Sequence, residues 1–270
     1  MISLFPERGA PVLFEAELDS TNTRLKAMAA YAEPGTVIAA GRQTGGRGRL
    51  GRSFSSPSGG VYLSMLLAPA ADMRACLTLT PTAAVAVRRA LKKVCGLGAD
   101  IKWPNDLQFG GKKLCGILTE SVTAGGSFKL IIGIGVNLNT GMDELPLELH
   151  DTACSVYSVT GRYTPQEAVI RAIVDELDSA YAHWVVNSHW ALDDYRAACA
   201  SLGHRVQRLR RGRRDRRRFH PAHPHGRGRV HPRLQRRDIV RIAKYNALAK
   251  SPVCQCVFYK LCRFFGESAC

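Results

Sequence analysis

No apolar run in the sequence approaches the ~18 residues that a membrane-crossing helix requires; the best candidate, Leu130 to Val136, has seven. The opening residues, MISLFPERGA, lack a basic segment followed by an apolar stretch, so no export signal is expected. CxxC pairs are missing. The nine cysteines are scattered between positions 76 and 270, which favours free thiols in a reducing, cytoplasmic setting over a disulfide scaffold. The usual phosphate-loop signatures are missing as well. GxxxxGK[ST] does not occur, and the one glycine-rich loop does not sit in the strand–GxGxxG–helix grammar of dinucleotide folds.

What remains is ordinary globular composition, with 46% apolar and 22% charged residues in a 270-residue chain, enough for one or two domains. The formal net charge of +16 is unevenly placed: residues 1–203 hold 19 basic and 19 acidic side chains, while 204–241 hold 15 and 2. That basic stretch, RVQRLRRGRRDRRRFHPAHPHGRGRVHPRLQRRDIVR after His204, contains no lysine and has neither strand nor helix periodicity. An arginine-rich arm that binds nucleic acid is one reading, and a solvated tail is another. The favoured one is a GC-rich coding region read out of frame, with 204–270 a degenerate remnant and 210–270 poorly ordered and protease-sensitive. Residues 1–203 form the expected globular domain.

Within 1–203, apolar alternation predicts strands at Val12–Glu17, Thr36–Ala40, Val61–Leu67, Ile101–Trp103, Leu114–Ser121 and Phe128–Asn139. Helices are expected after Asp19 or Ser20, with Leu25, Met28 and Ala32 on one face, from Leu77 to Cys95, and after a capping box at Thr164–Glu167. Strands and helices mix without strict βαβ alternation, which makes the class α+β, a mixed or antiparallel central sheet flanked by helices.

Two constellations carry chemistry. Gln43 to Arg52 combines Gly45, Gly46, Gly48 and Gly51 with Arg47, Arg49 and Arg52. Glycine lets the backbone wrap a ligand closely, and arginine offers planar cationic forks for anionic oxygens. The second is Lys102-Trp103-Pro104-Asn105-Asp106 with Lys112-Lys113-Leu114-Cys115-Gly116. A lysine beside a glycine strand, paired with the arginines, would neutralise a carboxylate and a phosphate brought together, as acyl adenylation requires. In the strand Phe128–Asn139, Gly133, Gly135, Asn137 and Asn139 share one face and suggest an open groove floor ending in waiting amides. Asp106 and Asn137 would help position magnesium or polar ligand atoms there.

Ser20-Thr21-Asn22, GRQTGGRGRLGR, SFSSPSGGVYLSMLL, KWPND, KKLCGIL and GIGVNLN occur in the order and at roughly the spacing found in biotin–protein ligases, and the chain resembles that family over about residues 12–203. The resemblance implies a class II synthetase-like biotin/lipoate ligase fold followed by a small SH3-like β-barrel, which 204–270 replaces. It implies an enzyme that uses ATP, accompanied by Mg²⁺, to convert biotin to biotinyl-5′-AMP and then biotinylates a lysine of a biotin carboxyl carrier domain. Carried over by motif, Ser20, Thr21, Asn22, Gln43, Arg47, Gly48, Arg49 and Lys113 would bind biotin, while Arg47, Arg49, Lys102 and Asn137 would bind ATP. Lys113, Arg49 and Asp106 would carry catalysis, with Arg47, Gly48 and Arg49 closing over the ligands and Asp106 orienting the incoming lysine. The resemblance brings no dedicated protein metal site and no membrane partner, and it leaves a homodimer open. About eleven residues precede the first strand, too few for the winged DNA-binding domain of repressor-type members, so no specific DNA binding is expected. Phe54 stands where family members often have tryptophan. The alternatives are a lipoate or octanoate ligase or transferase of the same fold and, from another class, a nucleic-acid binder using 204–241.

Overall fold

Period-two patterning builds a single eight-stranded sheet, seen in a computed structural model that describes residues 1–202, 205–207 and 239–241. In chain order the elements are β1 (Ile2–Leu4), β2 (Val12–Leu18), α1 (Thr21–Met28), β3 (Val37–Gln43), β4 (Val61–Leu67), α2 (Met73–Cys76), α3 (Leu79–Cys95) and β5 (Asp100–Lys102). There follow β6 (Asp106–Phe109), β7 (Lys112–Ala124), β8 (Ser127–Val136), α4 (Val156–Thr160), α5 (Gln166–Val186) and α6 (Leu192–Ala198). The sheet order is β1-β2-β3-β4-β8-β7-β6-β5. The β2–β3 pair is parallel and its neighbours are antiparallel, so the sheet is mixed as the sequence suggests.

The two faces of the sheet have different fates. Val61, Leu63, Met65 and Leu67 of β4 and Ile132, Ile134 and Val136 of β8 point into the main core, where α3 and α5 pack. Alanines 83, 84, 86 and 90 of α3 are fully buried, and their small side chains let the layers approach closely. Ile170, Ile173, Val174, Leu177 and Trp184 form the buried stripe of α5, and Trp184 Nε1 donates to Thr78 Oγ1 at 2.7 Å. On the opposite face, α1 covers only one end: Leu25 and Ala29 close on Ile38, Leu66 and Ile131. The rest of that face holds the site.

Several local expectations change. Ala32 lies beyond α1, whose C-cap is Ala29. The helix expected from Leu77 starts at Leu79, after the separate short turn α2. No capping box opens α5: its N-cap is Pro165, without a side-chain cap bond, because the Thr164 backbone is held from the other side by Asn139, which donates through Nδ2 to Thr164 O and accepts from Thr164 N. The sequence reading missed β1 and β6; β6 turns into β7 through Gly110 and Gly111, both at positive φ.

Residues 1–200 form one compact unit and 201–270 a second. In the second, Arg205–Gln207 (β9) and Ile239–Arg241 (β10) form an antiparallel ladder pairing Val206 with Val240. The other expectations for 204–270, arginine-rich arm, poor order or out-of-frame remnant, lie outside the described residues. Among the described residues, no helix is long and apolar enough to cross a membrane.

Candidate active site

The free part of the second face is organised in rows across the strands. Tyr62, Gly135, Gly116 and Asp106 lie side by side on β4, β8, β7 and β6, and Ser64, Gly133 and Leu118 form the next row. Three glycines there leave a trough in an otherwise side-chain-filled surface. It is part of a cavity of about 210 Å³, closed above by residues 47–54.

The trough is not an open floor. A Cβ at Gly133 would fall on Asn22 Oδ1, one at Gly135 would meet the Phe54 ring at 2.6 Å, and one at Gly116 would lie 3.0 Å from that ring. The glycines therefore admit Asn22 and Phe54, which become walls of the cavity. Phe54 also meets Tyr62 edge-on at 6.5 Å between ring centroids.

One wall is a polar network at the start of α1. Ser20 is the N-cap of that helix, which aims the first helical amides toward the cavity. Thr21 donates through N and Oγ1 to Gln43 Oε1 at 2.9 and 3.2 Å, and Gln43 Nε2 donates to Ser56 Oγ at 3.0 Å. Ser64 Oγ lies 2.8 Å from Thr21 Oγ1 and 2.5 Å from Asn22 Oδ1. Asn22 Nδ2 donates to Glu120 Oε2 at 2.8 Å. These groups are fixed before any ligand arrives, so the network is preorganised for a polar ligand head.

The opposite wall is cationic. Residues 46–54 fold as a hairpin-like flap in which Phe54 N donates to Gly46 O at 2.9 Å and Gly48 N to Arg52 O at 2.7 Å. At its apex Leu50 is exposed, with φ 58°, a conformation that a non-glycine residue rarely adopts. Arg49 Nη1 donates to Asn105 Oδ1 at 3.0 Å, while Asn105 Nδ2 donates to Ile117 O at 2.8 Å, tying the flap to the sheet. Lys113 Nζ sits 3.0 Å from Asp106 Oδ1 and 5.4 Å from the centre of the Phe54 ring. Asp106 Oδ1 is buried and accepts no aligned hydrogen bond among the described residues, so this is an ion pair without a directed bond.

A β-bulge decides which lysine reaches the cavity. Cys115 pairs with Leu107 but Lys113 pairs with Gln108, so β7 carries one extra residue, Leu114. The extra residue reverses the alternation. Leu114 goes into the core and Lys113 joins Gly116 on the cavity side, whereas Lys112 donates to His150 O at 2.9 Å.

Ser20, Thr21, Asn22, Gln43, Arg47, Gly48, Arg49, Asp106 and Lys113 all line this one cavity. Lys102 and Asn137 do not. Lys102 is exposed at the end of β5. Asn137 is buried beyond the end of β8, its Nδ2 donating to Cys154 O at 3.0 Å. In the structure Asn137 and Asn139 lie beyond the last residue of β8, and their amides hold neighbouring backbone. Replacing Asn137 by Ala would leave a buried carbonyl short of its donor. The expected cost is about 1–3 kcal/mol in urea denaturation.

The sequence reading gave no role to Ser64, Asn105 or Glu120. Glu120 shares the face of Gly116 and Leu118 by strict alternation, a signal that was available. None of the five described cysteines, all free thiols, lines the cavity. Burial pushes the thiols of Cys115 and Cys154 up, which removes them as nucleophiles. Among the described residues, no cluster of His, Cys, Asp and Glu is arranged to hold a metal ion.

A model of the Biotin/lipoate A/B protein ligase family matches residues 14–137. The bifunctional ligase/repressor BirA of Bacillus spizizenii is 35% identical over 182 residues, covering 66% of this chain and 56% of that protein. The biotin–[acetyl-CoA-carboxylase] ligase of Paracoccus denitrificans is 35% identical over 173 residues, covering 63% of this chain and 70% of that one. Among solved structures, a biotin protein ligase from Aquifex aeolicus in complex with biotin and ATP superposes with a TM-score of 0.66 at 33% identity, covering 74% of this chain and 83% of that one. The chain belongs to the biotin/lipoate A/B protein ligase family. It spans 56% of the length of the BirA relative.

Proposed function

We propose that the chain is an ATP-dependent biotin–protein ligase, which adenylates biotin and passes the biotinyl group to a lysine of a biotin carboxyl carrier domain. The observation that carries this reading is the charge around one small cavity: Arg47, Arg49, Arg52 and Lys113 face it with a single carboxylate, Asp106. Such a surplus suits a carboxylate and a phosphate that must meet despite their repulsion. The relatives' names and the ligands of the Aquifex aeolicus structure support the choice of biotin and ATP.

In the first step a biotin carboxylate oxygen attacks the α-phosphorus of ATP and pyrophosphate leaves. Arg47 and Arg49 move with the flap to cover both anions, and Lys113 supplies a point charge from the sheet. The Ser20–Gln43 network holds the polar head of biotin. In the second step the amine of the acceptor lysine attacks the acyl carbon, AMP leaves, and a proton is lost from nitrogen; Asp106, beside Lys113, is placed to orient that amine. The flap excludes water from the mixed anhydride in between. ATP brings its own magnesium ion.

A second, more open cavity of about 690 Å³ shares Gln43, Ser53 and Phe54 with the first. Phe54 lines both cavities. Residues 1–203 are assigned as the catalytic domain, a reading supported by the compact unit of residues 1–200. The test is biotin-dependent ATP–pyrophosphate exchange, followed by transfer of labelled biotin to a carrier domain. Exchange that does not depend on biotin, or that octanoate supports equally, overturns the reading.

A further inference from the structure

Glu120 stands outside the cavity, in the row of Leu66 and Ile131 at the end of the face that α1 covers. Its carboxylate receives three partners from two elements. Lys26 Nζ donates to Oε1 at 2.7 Å, Asn22 Nδ2 donates to Oε2 at 2.8 Å, and Arg47 Nη2 reaches the same Oε1 at 3.3 Å. Burial alone would raise the Glu120 carboxyl, but the hydrogen bonds from Asn22 and Lys26 and the charges of Lys26 and Arg47 hold it below its ordinary range.

The three partners are not equivalent. Lys26 and Asn22 belong to α1 and satisfy one oxygen each at short distance. Arg47 belongs to the flap, is about half exposed, and makes the longer contact to an oxygen that Lys26 already occupies. Arg47 can therefore depart without leaving a buried charge unpaired, because Lys26 stays on Oε1 and Asn22 on Oε2.

We infer that Glu120 is a positioning residue that parks the flap arginine Arg47 beside the empty cavity and yields it to the carboxylate of the arriving substrate. The exchange is carboxylate for carboxylate, so Arg47 is never without an anion and Glu120 never without a cation. Because the parking contact ties the flap to the α1 side of the cleft, the flap is held near its working position before the ligand binds. The assignment rests on the ligase reading only for the identity of the incoming carboxylate.

The test is a double-mutant cycle on the ligand-free full chain, read by hydrogen exchange of the peptide spanning 44–55. Glu120→Gln and Arg47→Met should each speed exchange of the flap amides about two- to five-fold, the range an exposed ion pair supports, and the double variant should exchange no faster than either. Lys26→Met removes the competing cation and should leave flap exchange at or below the parent rate. Multiplicative effects in the double variant overturn the proposal, as does flap exchange that rises in Lys26→Met together with Glu120→Gln, since that would mean Glu120 merely docks α1. Added biotin separates the two readings: failure of biotin to protect the parent flap would count against the ligase assignment while leaving the cycle interpretable.

Discussion

Lys113→Ala is expected to lower biotin-dependent ATP–pyrophosphate exchange by about a hundred- to a thousand-fold, the usual loss when one preorganised charge facing a developing anion is removed. Lys113 is the cation of this cavity that comes from the sheet; the three arginines come from the flap. A flap arginine lost by mutation has neighbours on the same flap, whereas nothing else on β7 or β8 offers a cation to the cavity among the described residues. The same change leaves Asp106 without its partner at 3.0 Å, so Lys113→Ala and Asp106→Asn should be measured together. If the role of Lys113 is only to neutralise Asp106, the double variant regains exchange. If Lys113 meets the reacting anions, the double variant stays as slow as Lys113→Ala. Exchange in Lys113→Ala within tenfold of the parent would remove Lys113 from the mechanism.

The second large effect is expected from one methyl group. Gly133→Ala places a Cβ on Asn22 Oδ1. Asn22 cannot step aside cheaply, because Oδ1 lies 2.5 Å from Ser64 Oγ and Nδ2 donates to Glu120 and Leu118 O. Forcing it out removes one of the two partners of Ser64 at the base of the polar wall and the sole donor to Oε2 of the carboxylate that holds Arg47. We expect biotin affinity to fall at least tenfold by calorimetry and the protein to lose about 1–3 kcal/mol of stability, as for other overpacked sites. The double variant Asn22→Gly with Gly133→Ala, which restores the space but not the network, relieves the overpacking but leaves Glu120 Oε2 without its donor, so neither the affinity nor the full stability should return. Unchanged affinity in Gly133→Ala would show that the network does not bind the ligand.

Much of the site was legible because its parts lie in short, glycine-marked motifs. Gly45 to Arg52 with three arginines announces a backbone that can turn tightly while presenting cations, and Ser20 before a helical stripe announces a cap. The glycines of β8 also announced themselves, but their meaning was only half readable. Alternation shows that Gly133 and Gly135 share a face; it cannot show that Asn22 and Phe54, far away in the chain, fill the space they leave. The two asparagines that follow continue the same alternation on paper, and the end of the strand at Val136 removes them from the cavity.

The sequence by itself determined which faces would be buried, because strand and helix periodicities are local properties of the backbone and the hydrophobic pattern repeats with them. It also determined the chemical character of the cleft, since the cations and glycines sit within contiguous motifs. The motif resemblance named Lys113, and only the tertiary structure shows why Lys113, not the adjacent Lys112, faces the cavity. Strict alternation puts Lys112 on the face of Gly116, and the unpaired Leu114 in β7, visible only against its partner strand β6, transfers that place to Lys113. Pairing register belongs to two strands at once, so it cannot be read from either alone. The same holds for Glu120, whose meaning depends on Lys26 and Arg47 arriving from two different elements.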